Sequence, residues 1–277
     1  MEHTQGTFEG NHNTELYCQA WRPQAPPRAA LAVVHGFGEY SERYHNLVDW
    51  FVPRGYAVHA FDLRGHGRSP GVRGHVDSFA DYRADVRAFL DHVRRREPGR
   101  PLFLVGHSQG GLIVLNYVLH DPSGLHGVVA SAPALGQLPV SPFLILLART
   151  LSRLWPRLNL ETGLDVHALS RDPAVVEAYV NDPLVHNTAT PRLGTELMAA
   201  VDWTQAHAAD LALPCLIVHG TADSLCLPET SQAFFEKITY PDRDRIDYEG
   251  YYHELFNEPD RDRVLADVYA WLEAHLD

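Results

Sequence analysis

Cysteine is scarce: three in 277 residues, Cys18, Cys215 and Cys226, far apart and with no C-x-x-C pair. That excludes a disulfide framework and a cysteine zinc cluster, and it fits a reducing compartment. A basic surplus is missing too. Lysine and arginine total 23 against 35 acidic residues, a formal net charge of −12. Nucleic acid is therefore not an expected partner, because phosphate binding needs a basic face. The first residues, Met1 to Gly6, have neither the basic nor the apolar segment of a secretion signal. The longest unbroken apolar run, Phe143 to Ala148, is too short to span a bilayer. The expectation is a soluble, cytoplasmic protein. With 45% hydrophobic and 21% charged residues it has the makeup of a folded globular chain.

Short apolar runs alternate with helical patterns. Leu16–Trp21, Ala29–Val34, Ala57–Asp62, Leu102–Val105, Gly127–Ala130, Cys215–Val218 and Arg245–Tyr248 read as strands. Between them, Ser78–Arg95 carries Phe79, Tyr82, Val86, Phe89, Leu90 and Val93 at helical spacing. Gln109–Leu119, Thr230–Ile238 and Asp260–His275 are further helices, and Ser41 is expected to cap another that ends at Pro53-Arg54-Gly55. This alternation predicts an α/β fold with a mostly parallel sheet covered on both faces. About eighty residues, 135–212, break the rhythm, which is far more than one crossover needs. They open on Val140, Phe143–Leu147, Leu151, Leu154 and Trp155 and then carry four X-Pro breaks. They read as a helical cap inserted into a core made of 1–134 and 213–277. Phe143–Trp155 is expected either to pack on the sheet domain as a tunnel wall or to rest on a membrane surface.

Gly106-His107-Ser108-Gln109-Gly110 is a G-x-S-x-G sequence between a predicted strand and a predicted helix. That context makes Ser108 a nucleophile on a tight turn, with glycines where strand and helix approach closely. A second match, Gly67-Arg68-Ser69-Pro70-Gly71, lacks the context, and Pro70 has no N–H to give an oxyanion. A serine hydroxyl needs a base, and the base an orienting carboxylate, in the chain order Ser, Asp, His. Asp223 lies just beyond the Leu216–Val218 run and a Gly turn, and His253 lies between the last strand and the last helix. His219 is expected to pack beneath the site, and His35, His66, His75 and His107 to hydrogen-bond locally. Two oxyanion donors are needed, and the backbone N–H groups of Phe37 and Gln109 are the candidates. His253-Glu254 does not continue as H-E-x-x-H, so no metal is expected. Cys226 is either a thiol-reagent target or a buried inert thiol.

These residues together resemble the monoacylglycerol lipase and lysophospholipase group of the α/β-hydrolase superfamily. His35-Gly36-Phe37-Gly38-Glu39-Tyr40-Ser41 with Tyr44 is similar to its HGxGEHSxRY segment. Asp62 to Ser69 is similar to its D-x-RGHGxS loop, and Gly106 to Gly111 to its GHSMGG elbow, with Gln109 in place of methionine. Asp172-Pro173 and Asn181-Asp182-Pro183-Leu184 resemble signatures of its cap. The resemblance implies an eight-stranded sheet, a mobile cap over an acyl tunnel, and cofactor-free hydrolysis of single-chain esters. By position it puts Glu39 and Arg43 at an alcohol-end pocket and Tyr179 on the cap facing the glycerol. Phe256 stands where the family often has a second histidine. It implies a single-chain lipid ester as substrate; transient membrane-surface contact through the cap is the alternative that the composition of Phe143–Trp155 leaves open. General carboxylesterase, lysophospholipase or peptidase activity on the same machinery is the alternative, and a non-catalytic binding protein the remote one.

Overall fold

The computed structural model describes residues 1–136 and 142–276. Val140, counted above into the opening of the cap, lies outside them. The chain runs through strands β1 (Glu2–Glu9), β2 (Glu15–Arg22) and β3 (Ala29–Val34), helix α1 (His45–Phe51), β4 (Tyr56–Phe61), α2 (Phe79–Arg96) and β5 (Leu102–His107). Next come α3 (Gln109–His120), β6 (Gly127–Ser131), α4 (Pro142–Leu154), β7 (Leu160–Glu161), α5 (Pro173–Asn181), β8 (Thr188–Ala189) and α6 (Pro191–Ala206). It closes with β9 (Cys215–Gly220), α7 (Pro228–Lys237), β10 (Arg243–Tyr248) and α8 (Arg261–Ala274). Eight strands form one sheet in the order β1-β2-β4-β3-β5-β6-β9-β10, and β7 and β8 form a separate pair. From β4 to β10 every pairing is parallel; β1 and β2 join antiparallel. This is the α/β-hydrolase fold with a helical cap insertion.

The central strands are buried on both faces, and their alternation divides the core. Ala30, Ala32 and Val34 of β3, with Leu102 and Leu104 of β5, meet α2, α3, α6 and α7. Ala29, Leu31 and Val33, with Phe103 and Val105, meet α1 and α8 on the opposite side. A period of two sends successive side chains to opposite layers, which explains the unbroken apolar runs.

α2 starts where Ser78 accepts from the Ala80 N–H and the Asp81 carboxylate accepts from the Ser78 N–H, closing a reciprocal cap. Ser41 does not cap a helix. Its N–H and hydroxyl both donate to Asp62 Oδ1, at 2.9 and 2.5 Å, which ties two loops together. β1 carries no sequence signal because seven of its eight residues are exposed and polarity does not alternate along it.

β6 pairs directly with β9, Val128 beside Cys215, so the whole segment between them leaves the sheet and returns. Within it, Leu193, Ala200 and Val201 of α6 join the core under α2 and α3. α4 packs on α6, with the buried Ser152 hydroxyl 2.8 Å from Thr195 Oγ1. The rest of α4 faces outward: Phe143 is 72% exposed, Leu146 64% and Leu154 63%, and Trp155 just beyond it 61%. The alternative in which this helix packs on the sheet domain is therefore corrected. Leu193, Ala200 and Val201 of α6 already cover the core there, and α4 rests on α6. Among the described residues no helix is long and apolar enough to cross a membrane.

Candidate active site

Ser108 stands between β5 and α3 with φ 54° and ψ −119°, a conformation a non-glycine residue holds only at a cost of about 1–3 kcal/mol. The neighbourhood fixes it. The Ser108 N–H donates to Ser131 O, and Ser108 O accepts from Leu112 and Ala134 N–H. No side chain fits beside it: a Cβ on Gly110 would sit 2.2 Å from Val34 O, and one on Gly106 2.4 Å from Gly110 O. Strand and helix thus meet backbone to backbone, and the serine is pushed out at the tip.

Asp223 follows β9 at the same sheet end, and His253 follows β10. Their partnership is direct: His253 Nδ1 donates to Asp223 Oδ2 at 2.7 Å. Asp223 Oδ1 accepts from the Leu225 and Cys226 N–H groups at 2.9 and 3.0 Å. Burial opposes ionisation of Asp223, but the imidazole of His253 and these hydrogen bonds outweigh it and hold the carboxyl well below its usual range. An ionised Asp223 can only accept, so Nδ1 of His253 carries the hydrogen and Nε2 keeps its lone pair. Burial disfavours protonation of His253, yet the Asp223 charge and hydrogen bond, with Glu254 and Glu39 beyond, raise its pKa above the ordinary histidine value. Ser108 and His253 line one cavity of 90 Å³, with Phe37, Tyr179 and Cys226 also in its walls.

His219 does more than pack. It is fully buried, and its Nε2 lies 3.2 Å from Asp223 Oδ2 and 2.8 Å from Cys226 O. Both neighbours are acceptors, so this nitrogen carries a hydrogen and gives the carboxylate a second imidazole partner. Reading it only as packing missed this because i, i+4 contact across a turn has no hydrophobic signature. His107 interacts locally with the Ser131 backbone as expected, but its Nδ1 has no partner, and the ring rests against His253 with centroids 4.7 Å apart. Burial first, then the His253 charge, pushes its pKa down to about 3, so it is a neutral platform. The other loop histidines bond as expected, His35 to Gly36 O and Leu63 N–H, and His66 to Arg64 O. His75 reaches further, to Thr190 in the cap segment. Ser69 is confirmed as a loop residue. It is buried, accepts from the Tyr17 N–H and donates to Asp62 O. Burial, then the Asp223 charge, pushes the Cys226 thiol above the ordinary range, leaving it a protonated neighbour of Ser108.

The His35–Gly38 loop lies against the elbow: a Cβ on Gly36 would come 3.2 Å from Ser108 Cβ. Phe37 and Gln109 therefore flank Ser108 from two elements. Among the described residues no backbone carbonyl takes either N–H outside regular elements. The Gln109 amide turns inward, buried and without a partner.

Glu39 and Tyr179 line the same cavity and converge on Arg43 behind it. Arg43 Nε donates to Glu39 Oε2 at 3.2 Å, and its guanidinium lies over the Tyr179 ring, 4.8 Å from the centroid. The Tyr179 hydroxyl is buried and has no partner. Glu254 belongs to this group although the sequence gives no hint of it. Arg43 Nη2 donates to both its oxygens at 2.8 and 2.7 Å, across 211 positions of sequence. The cap signatures also gain reasons. Asp172 caps α5 through the Ala174 N–H, and Asp182 accepts from the Tyr40 hydroxyl at 2.7 Å, tying cap to core. A larger cavity of 470 Å³ lies along α5, between Arg171, Val180 and Tyr252, but neither Ser108, Asp223 nor His253 reaches it.

With this geometry in place, the family described as Hydrolase_4, serine aminopeptidase, S33, matches residues 25–260. The chain belongs to this family. Like the family, it is a serine hydrolase of the α/β-hydrolase fold. It is 36% identical to the monoacylglycerol lipase of Mycolicibacterium smegmatis over 272 residues, 98% of this chain and 97% of that protein. It is 31% identical to a phospholipase of Bacillus subtilis over 92% of this chain and 99% of that one. The crystal structure of the Paleococcus ferrophilus monoacylglycerol lipase superposes with a TM-score of 0.86 at 36% identity, covering 94% of this hydrolase and 99% of that chain. Among its described residues this hydrolase has no cluster of histidine, cysteine and carboxylate side chains able to hold a metal ion.

Proposed function

We propose that this hydrolase cleaves the ester bond of monoacylglycerols through an acyl-enzyme on Ser108. The observation that carries the mechanism is the 2.7 Å bond from His253 Nδ1 to an Asp223 held ionised, with Ser108 in the same cavity. Ser108 Oγ attacks the ester carbonyl while His253 Nε2 takes its proton. Asp223 stabilises the imidazolium that forms. The N–H groups of Phe37 and Gln109 receive the developing oxyanion. His253 then protonates the leaving glycerol oxygen, and a water deprotonated by the same nitrogen releases the fatty acid.

The substrate reading rests on the likeness to two monoacylglycerol lipases and on a site with one apolar and one polar end. Leu164, Leu169 and Leu225 line one part of the cavity, and Glu39, Glu254 and the unpartnered Tyr179 hydroxyl another. We take 135–212 as the cap, with α6 as its fixed base, on a core of 1–134 and 213–277. The outward apolar side chains of α4 support transient contact with a lipid surface by a cytoplasmic protein that is not membrane-spanning. At 90 Å³ the cavity holds the glycerol end and not a long acyl chain, so the cap must shift for substrate to enter.

The test is hydrolysis of 1-monooleoylglycerol beside p-nitrophenyl butyrate and a lysophosphatidylcholine. The monoacylglycerol is expected to give much the highest kcat/KM. Turnover of the short activated ester alone would keep the catalytic assignment and remove the lipid one. A lysophosphatidylcholine preferred over both would favour the phospholipase relative.

A further inference from the structure

Behind the polar end of the cavity, which Glu39, Glu254 and Tyr179 line, one arginine sits between the two carboxylates. Arg43 is bound edge-on by Glu254 at 2.7 and 2.8 Å and by Glu39 at 3.2 Å, and its flat face is covered by Tyr179. All three charged side chains are at most 9% exposed. Glu39 is further held by the Gly36 N–H at 2.6 Å and the Tyr44 hydroxyl at 2.8 Å, so it cannot turn away. Phe256 lies on the far side of the trio, in a separate small pocket beside Arg43, and offers no donor. The trio therefore carries a net charge of −1 away from water, and its cation is spoken for. What remains for a ligand is the free Tyr179 hydroxyl and the unused lone pairs of two carboxylates. Such a lining suits hydroxyl groups, which donate, and repels a phosphate, which only accepts when ionised.

We propose that Glu254 is a specificity-determining residue: by holding Arg43 it keeps the alcohol end of the site selective for neutral polyols and closed to anionic head groups. The proposal rests on the monoacylglycerol reading and extends it to the class of ester rejected. Removing the Glu254 charge would leave Arg43 and Glu39 balanced. One unit charge about 5 Å from a bound anion, at an effective dielectric of about 20, changes its binding on the order of a hundredfold.

The experiment compares kcat/KM for 1-monooleoylglycerol and 1-oleoylglycerol 3-phosphate in the same mixed micelles, in wild type and in Glu254→Gln, which keeps the shape and loses the charge. Both substrates use His253, so their ratio cancels any shift in its titration. The wild type is expected to favour the neutral ester by on the order of a hundredfold or more, and Glu254→Gln to move the ratio at least tenfold toward the phosphate. A second measurement needs no variant. The phosphate loses its second proton near pH 6, so wild-type discrimination should grow several-fold between pH 5.5 and 8. A ratio that ignores both the substitution and the pH overturns the role of Glu254. Absent turnover of 1-monooleoylglycerol by the wild type overturns the substrate reading beneath it.

Discussion

The sheet end of the site and the cap end are built on opposite terms. At the sheet end each side chain of the proposed triad leaves the carboxyl end of a parallel strand: Ser108 after β5, Asp223 after β9, His253 after β10. Backbone hydrogen bonds hold them, and both carboxylate oxygens of Asp223 are engaged. At the cap end α4 presents Phe143, Leu146 and Leu154 to solvent and is held through α6. Hydrogen-bonded geometry is concentrated around Asp223 and His253, and exposed apolar surface on α4. The difference teaches that one chain combines a buried, hydrogen-bonded site with a helix that leaves apolar side chains exposed.

The largest expected effect breaks the sheet end. Ser108→Ala removes the nucleophile, and kcat should fall by about four to six orders of magnitude while the far-UV circular dichroism stays unchanged. Turnover near the wild-type rate would remove Ser108 from the mechanism. Asp223→Asn comes next, with kcat expected to fall about 10³- to 10⁴-fold because the histidine loses its orienting charge. It also tests the sign of the titration. Asp223 raises the His253 pKa, and the base must be neutral, so wild-type kcat/KM should fall with decreasing pH about a midpoint above that of an ordinary histidine. In Asp223→Asn that midpoint should move down; an unmoved acid limb would assign it to another group.

At the cap end the effects are smaller and selective. Phe143→Ser with Leu146→Ser should weaken binding to phosphatidylcholine vesicles at least tenfold, since each inserted side chain contributes about 1.5–3 kcal/mol. Hydrolysis of p-nitrophenyl butyrate should change less than twofold, because neither residue lines the catalytic cavity. Loss of both activities together would make α4 part of the rigid end. The smallest effect lies outside both regions: Ser78→Ala removes the α2 cap and should cost about 1 kcal/mol in denaturant unfolding with kcat intact.

Legibility in the sequence followed the range of the interactions. Strands β3 to β6 and β9 were readable because buried parallel strands are short apolar runs between turn residues; β2 is antiparallel to both neighbours and β10 is mostly charged, so that reason does not extend to them. β1 was not, since seven of its eight residues are exposed and it is held by pairing with β2 and by Phe8 alone packed against Phe61 and Phe89. The β7–β8 pair was missed as well, being two residues a side. Ser41 illustrates a local rule overridden: a good cap residue spent on Asp62, twenty-one positions away.

The sequence by itself determined the strand–turn–helix at Ser108, the order serine, aspartate, histidine, and the place of the inserted segment. Each depends on spacing within a few residues and on steric demands that only glycine or proline can meet or forbid. Only the tertiary structure decided that His219 shares Asp223 with His253, that Glu254 claims Arg43, and that α4 turns its leucines outward. Those depend on which distant side chains are desolvated together. A charge has no fixed partner along the chain until folding removes the water between them.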